Sequence, residues 1–179
     1  YWSFSEASDR GAGTAIARGR LVEEGGAPRL EDVRTIYTQN MHDSSGLHFG
    51  GRFAFHPKDG TIVLSVGERR NISRAQDAED HAGSFVRVRD DGSVPPDNPF
   101  LNDKEKDDKI FSIGHRNSQG LAFDPRTGEL WANEHGPKGG DELNRVRAGL
   151  NYGWPFQSAG PDYSGAPVGR GARGVEGME

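Results

Sequence analysis

The sequence predicts an all-β fold assembled from repeated hairpins. The first observation is an internal repeat. Phe53-Ala54-Phe55-His56-Pro57-Lys58-Asp59-Gly60-Thr61-Ile62 aligns with Leu121-Ala122-Phe123-Asp124-Pro125-Arg126-Thr127-Gly128-Glu129-Leu130, 68 residues further on, with apolar, Pro, basic and Gly positions coinciding. The second is composition: only 32% of the 179 residues are hydrophobic, against 26 Gly and 10 Pro, which suits a turn-rich chain and not a helix bundle. The third is periodicity, since no segment carries a helical pattern longer than a turn or two.

Each copy of the repeat reads as a short apolar strand, a Pro/Gly turn, and a second apolar strand (Ile62 to Val66; Leu130 to Ala132), a hairpin with matching turn chemistry. Repeated short hairpins point to a propeller or another repeated β architecture. A propeller blade takes about 40–45 residues, so the wider spacing implies an inserted segment, and a chain of this length holds about three to four blades. The polar tract 89–109, with Pro95, Pro96, Pro99 and many Asp residues, is the expected inserted loop within a single partial domain spanning 1–179. Further strands are expected at Thr14 to Leu21, Arg34 to Thr38 and Ser84 to Arg89. The opening Tyr1-Trp2-Ser3-Phe4 reads as a strand already under way, without an initiator Met or a signal-peptide pattern, so residues are expected to have been removed before it. Gly171 to Glu179 carries no closing strand.

Charged residues form 27% of the chain with a net charge of −5, and the two signs are interleaved. The densest basic stretch, Arg69, Arg70 and Arg74, is answered by Glu68, Asp77 and Glu79, so no basic footprint for nucleic acid is expected. No apolar run reaches membrane-spanning length. The absence of Cys removes disulfides, thiolate metal sites and cysteine nucleophiles together, without fixing the compartment.

Extending the repeat backwards brings out two residues with chemistry. His48 stands five residues before Phe53 and Arg116 five before Leu121, so both occupy the same register of the repeat. In a propeller, equivalent loop positions share one face near the axis, which converges a candidate general base and a permanent cation on one pocket. A lone His or Arg at such a place is usually structural; the shared register is what raises this pair. The run Glu134-His135-Gly136-Pro137-Lys138-Gly139-Gly140-Asp141-Glu142 offers turn carbonyls followed by two carboxylates, oxygens suited to a hard cation such as Ca²⁺. An ordinary polar turn capped by Asp141 is the plainer account. The run has neither EF-hand nor zinc-binding spacing. Asn151-Tyr152-Gly153-Trp154-Pro155 is an aromatic turn suited to core packing or to stacking on a planar ligand.

These motifs together resemble the soluble quinoprotein glucose dehydrogenases and aldose sugar dehydrogenases. Gly114-His115-Arg116-Asn117-Ser118-Gln119-Gly120-Leu121-Ala122-Phe123 is similar to the family's GHRNPQGLAF segment, and Glu134 to Asn144 to its EHGPRGGDELN. Asn151 to Pro155 matches NYGWP, Ser45 to Arg52 resembles the segment bearing the active-site His, and Asp91 to Phe100 resembles the DGSVPxDNPF loop. The likeness runs in order from Gly11 to Gly169 and is nearer the aldose sugar dehydrogenase branch. It implies part of a six-bladed β-propeller that oxidises aldoses to lactones with pyrroloquinoline quinone and Ca²⁺, in the periplasm or outside the cell, for an unspecified electron acceptor. It further implies His48 as general base and Arg116 as its catalytic cation. Arg116, Asn117 and Tyr163 would contact the quinone, with Gly136, Pro137, Glu142 and Tyr152 linked to calcium. The chain departs from the pattern at Ser118 for Pro, at Ser84 for Lys, and at Glu68 for an Asp of a loop at the substrate rim. A first-blade glutamine and the basic residues of later blades that grip the quinone carboxylates have no counterpart. The competing expectation is a non-catalytic propeller that binds a carbohydrate or protein partner through the same face, or an inactive fragment.

Overall fold

A computed structural model describes residues 1–169, and Gly171 to Glu179 lie outside the described residues. Three successive antiparallel sheets make up the fold. The first contains β1 (Trp2–Ser8), β2 (Gly11–Val22) and β3 (Arg29–Thr38). The second contains β4 (Gly50–Phe55), β5 (Ile62–Val66), β6 (Ser84–Val88) and β7 (Ile110–Ile113), and the third β8 (Ser118–Phe123), β9 (Leu130–Glu134) and β10 (Glu142–Val146). Each sheet is a meander in which neighbours in sequence pair, the construction of a propeller blade. The one helical segment named among the described residues is a 3-10 turn, Ile72–Gln76. Residues 89–109 connect β6 to β7 without contributing a strand.

The repeat has a structural counterpart in the two hairpins. β4 and β8 are six residues each, β5 and β9 five each, and both pairs of bounds differ by the repeat spacing. Phe53 pairs Leu64 as Leu121 pairs Ala132, and both ladders carry an irregularity near the start of the first strand. The turns match as well: Gly60 and Gly128 take φ of 70° and 73°, a conformation Gly adopts without a Cβ clash, and each donates its N–H to the carbonyl four residues earlier.

Burial explains why β5 and β6 read as continuous apolar runs. All residues of both strands are buried, because the second sheet is covered on both faces. Alternate residues go to opposite sides. Ile62, Leu64, Val66, Val86 and Val88 join Ile16, Ile36 and Tyr37 of the first sheet in one core. Val63 and Phe85 join Leu130, Ala132 and Val146 of the third sheet in a second core. Each fully buried aliphatic side chain in these layers contributes about 1.5–3 kcal/mol. β7 and β10 escaped the sequence pattern. β7 is only four residues, and β10 (Glu-Leu-Asn-Arg-Val) is an edge strand with an exposed Leu143, so neither carries an apolar alternation.

Candidate active site

β4 and β8 pack side by side, and each is entered from the same end. His48 precedes β4 by two residues and Arg116 precedes β8 by two, so the two lie at one end of adjacent strands. Three polar ties hold that end together. Asn117 Oδ1 accepts the Gly50 N–H at 3.1 Å, Ser65 Oγ donates to the Ser118 carbonyl at 3.1 Å, and Glu68 N–H donates to the Arg116 carbonyl at 2.9 Å.

The ladder that pairs Gly50 with Val66 continues outward to place Glu68 opposite His48. His48 Nδ1 lies 2.6 Å from Glu68 Oε2, with the carboxylate side chain 1% exposed and the imidazole 13%. A carboxylate only accepts, so the proton of this bond sits on Nδ1, and the neutral form of the ring carries its lone pair on Nε2. Glu68 was expected at a substrate rim; it is instead buried directly behind His48. Its other oxygen, Oε1, is buried without a hydrogen-bond partner among the described residues. The sequence contained the signal for this pair: extending the hairpin register two residues past Gly50 and Val66 pairs 48 with 68. His48 takes φ of 51°, a left-handed conformation uncommon outside Gly.

Arg116 is 3% exposed. Its backbone N–H donates to Glu134 Oε2 at 2.8 Å, its Nη1 donates to the His135 carbonyl at 3.1 Å, and its guanidinium lies 5.4 Å from the Trp154 ring centroid. Ser118 Oγ donates to the same Glu134 oxygen at 2.9 Å. A cavity of about 100 Å³ opens here, lined by Glu68, Arg116, Pro137 and Trp154 with Arg70 and Asp162. Trp154 Nε1 is buried and has no hydrogen-bond partner among the described residues. The aromatic turn therefore contributes Trp154 to the cavity lining. Asn117 spends its oxygen on Gly50 and on Gln119 Nε2 at 3.0 Å, leaving its amide nitrogen uncommitted among the described residues.

The ladder of the third sheet pairs Ser118 with Glu134, and continuing it puts Gly136 across from Arg116. The Gly136 turn is tight: its N–H donates to Asp141 Oδ1 at 2.9 Å, and an added Cβ would meet the Gly139 carbonyl oxygen at 2.2 Å. Asp141 thus caps the turn. Glu142 stands across from Glu134 on β10 and β9. Burial, and then the Glu134 charge, raise its carboxyl above the ordinary range, against the opposing Asn144 amide at 3.0 Å and the His115 ring. Tyr152 stacks on His115 with ring centroids 4.6 Å apart, donates its hydroxyl to the Arg145 carbonyl at 2.6 Å and accepts from the Arg147 N–H at 2.9 Å. His115 in turn has Nδ1 3.7 Å from Glu134 Oε1. Glu142 and Tyr152 therefore gather around His115 and Glu134. Tyr163 is 58% exposed, with the Arg70 guanidinium 5.6 Å from its ring centroid.

A larger cleft of about 530 Å³ lies beside the β4–β5 turn, at the far end of the second sheet. Its carboxylates are already committed: Asp59 and Asp97 to Arg87, Asp90 to Tyr1 and Arg18, Asp91 to Ser93. The smaller cavity joins the Arg116 cation, an aromatic wall and Glu68, the carboxylate bonded to the candidate base His48, so it is the better candidate for the chemistry.

The three successive meander sheets form part of a β-propeller. The chain belongs to the Glucose / Sorbosone dehydrogenase family, whose model matches residues 1–179. It is 44% identical over 167 residues to the aldose sugar dehydrogenase YliI of Escherichia coli (strain K12), covering 93% of this chain and 44% of the relative. The crystal structure of the soluble aldose sugar dehydrogenase from Escherichia coli in its apo-form superposes with a TM-score of 0.93 at 41% identity, covering 99% of this chain and 51% of that one. The PQQ-bound form of aldose sugar dehydrogenase from Streptomyces coelicolor gives 0.69 at 30% identity, covering 92% and 46%. The chain thus spans about half the length of these relatives.

Of the residues that would hold a planar quinone, Arg116 lines the cavity as a buried cation and Trp154 lines it too, while Asn117, next to Arg116, keeps its amide N–H uncommitted among the described residues. No group of three or more His, Cys, Asp or Glu side chains that could hold a metal ion occurs among the described residues. No helix among those residues is long and apolar enough to cross a membrane.

Proposed function

We propose that this chain forms the base-bearing part of a quinone-dependent sugar dehydrogenase that oxidises aldoses to lactones. The observation that carries the reading is the His48–Glu68 pair at the same strand end as Arg116, with the imidazole bonded at 2.6 Å to a buried carboxylate. When bound, pyrroloquinoline quinone supplies the two-electron acceptor for the hydride of the anomeric carbon, and Ca²⁺ the Lewis acid. His48 Nε2 takes the proton of the anomeric hydroxyl, and Glu68 holds the ring in the tautomer that can do so and stabilises the imidazolium formed. Arg116 presents positive charge where negative charge develops, and its bond to the His135 carbonyl holds the guanidinium in place. Asn117 and Tyr163 add polar and aromatic contacts to the quinone. Gly136 and Pro137 would hold Ca²⁺ through main-chain carbonyls, with Glu142 and Tyr152 linked to it less directly.

Location in the periplasm or outside the cell belongs to the same reading. The intact protein, supplied with the quinone and Ca²⁺, is expected to reduce a dye acceptor with an aldose, and His48→Gln to abolish the reaction. Absence of dye reduction together with absence of quinone absorbance after reconstitution would sink the proposal.

A further inference from the structure

We infer that Arg69 is a positioning residue for His48, fastening the backbone before the base and the Phe49 ring after it. This rests on the reading of His48 as the base, but the geometry stands by itself. Arg69 follows Glu68 directly, and its side chain is 0% exposed. Nη1 donates to the Leu47 carbonyl at 2.6 Å. Nη2 donates to the Ser45 carbonyl and, at 3.4 Å, to the Ala12 carbonyl at the start of β2. The guanidinium carbon sits 3.3 Å from the centroid of the Phe49 ring, and Asp43 Oδ1 is 3.6 Å from Nη2. Leu47 and Phe49 are the two neighbours of His48, so one buried group grips the backbone immediately before the base and the ring immediately after it. Glu68, one residue away, grips the ring itself.

Backbone conformation says why such a grip is needed. His48 at φ 51° and Arg69 at φ 62° both occupy the left-handed region, which is strained for a non-Gly residue and persists only where the surroundings over-determine it. The residue type is a poor choice for simple filling. A buried guanidinium facing mainly carbonyl oxygens carries a larger desolvation cost than an apolar side chain of its volume. What it supplies is direction: a planar fork reaches separate carbonyls while its face stacks on a ring, which the single ammonium of Lys cannot do. Without the fork, His48 is free to relax toward extended φ, carrying Nδ1 away from Glu68.

The test uses the intact protein in two states. Without cofactor, the imidazole nitrogen NMR signal of His48, identified by its loss in His48→Gln, is expected to show Nδ1–H bonded to a carboxylate. That signature should disappear in Arg69→Met and weaken in Phe49→Leu, which removes the stacking ring but keeps the charge. Reconstituted with quinone and Ca²⁺, Arg69→Met is expected to lose about 100-fold in kcat, the scale of a misplaced reacting group, with KM for the aldose changed less than about twofold. Arg69→Lys should follow Arg69→Met; full restoration by Lys would overturn the fork. Retention of the His48 signature in Arg69→Met overturns the inference whatever happens to the melting temperature. Should that variant not fold, Phe49→Leu decides by the same signal. The unloaded spectra remain decisive even if no aldose is oxidised, so failure here and failure of the enzymatic reading are seen separately.

Discussion

His48 and Glu68 face each other across the open end of the β4–β5 hairpin, Nδ1 to Oε2 at 2.6 Å, and the second carboxylate oxygen is buried without a hydrogen-bond partner among the described residues. The charge of Glu68 is therefore directed at the imidazole rather than shared with other donors. Glu68→Gln keeps the size but removes that charge, and its amide can present a donor to Nδ1 and so favour the wrong tautomer. Activity in kcat is expected to fall about 10²- to 10⁴-fold, the range over which an oriented base acts. Steady-state kinetics of the reconstituted protein check this. An unchanged kcat would remove Glu68 from the site.

Arg116 is the second group whose geometry can be tested. Its side chain bonds the His135 carbonyl while its face approaches Trp154, two demands that a planar cation meets at once. Arg116→Lys retains the charge but not this arrangement. Quinone binding, followed by absorbance titration, is expected to weaken about tenfold or more, and kcat to fall about 100-fold, the loss typical of one charge-stabilising donor. Equal binding by both proteins would show that Arg116 only braces the loop.

The repeat made the hairpins, their turns and the shared register of His48 and Arg116 legible, because each depends on local pattern: alternation, Pro and Gly at turns, a fixed spacing. β10 was not legible, since an edge strand such as Glu142–Val146 is stabilised by pairing to β9 and not by its own apolar face. Glu68 was misjudged for a related reason. Its place behind His48 follows from antiparallel pairing, a relation between strands, whereas a residue in a charged stretch reads as surface. Arg69 was hidden in the same way, counted with Arg70 and Arg74 as a solvated basic run although its side chain is fully buried. Tyr152 read as packing or a ligand contact, and its stacking on His115 needed the fold to appear.

Acid stability should depend on Asp59, at the far end of the second sheet. Burial alone would raise its carboxyl, but the Thr61 backbone and hydroxyl bonds and the Arg87 guanidinium outweigh that and bring it from 3.8 to about 2. The folded value lies below the unfolded one, so the contribution is complete above about pH 4 and is lost as pH falls toward 2. The side chain is 40% exposed, and solvent screening reduces the gain to about 1 kcal/mol. Asp59→Asn is expected to cost about that much at pH 7 and almost nothing at pH 2. Denaturant melts at the two pH values would show it; an equal loss at both would assign the effect to packing.

Glu142 gives the corresponding test for calcium. Its carboxylate stands across the β9–β10 ladder from Glu134, and burial together with that like charge disfavours its ionised form. Because its carboxyl is raised in the folded protein, ionised Glu142 is a cost that grows as pH rises through the folded value. A divalent cation at Glu142 would offset the cost, whereas removing the charge by mutation would abolish both the cost and the cation's hold. Glu142→Gln is therefore expected to raise the melting temperature by about 1–3 °C in chelator at pH 7. In millimolar Ca²⁺ the order should reverse, with the unmutated protein gaining more from the ion than the variant does. Thermal melts with and without chelator decide the matter: equal Ca²⁺ stabilisation of both proteins would detach Glu142 from any calcium site and leave the ion to the Gly136-Pro137 carbonyls.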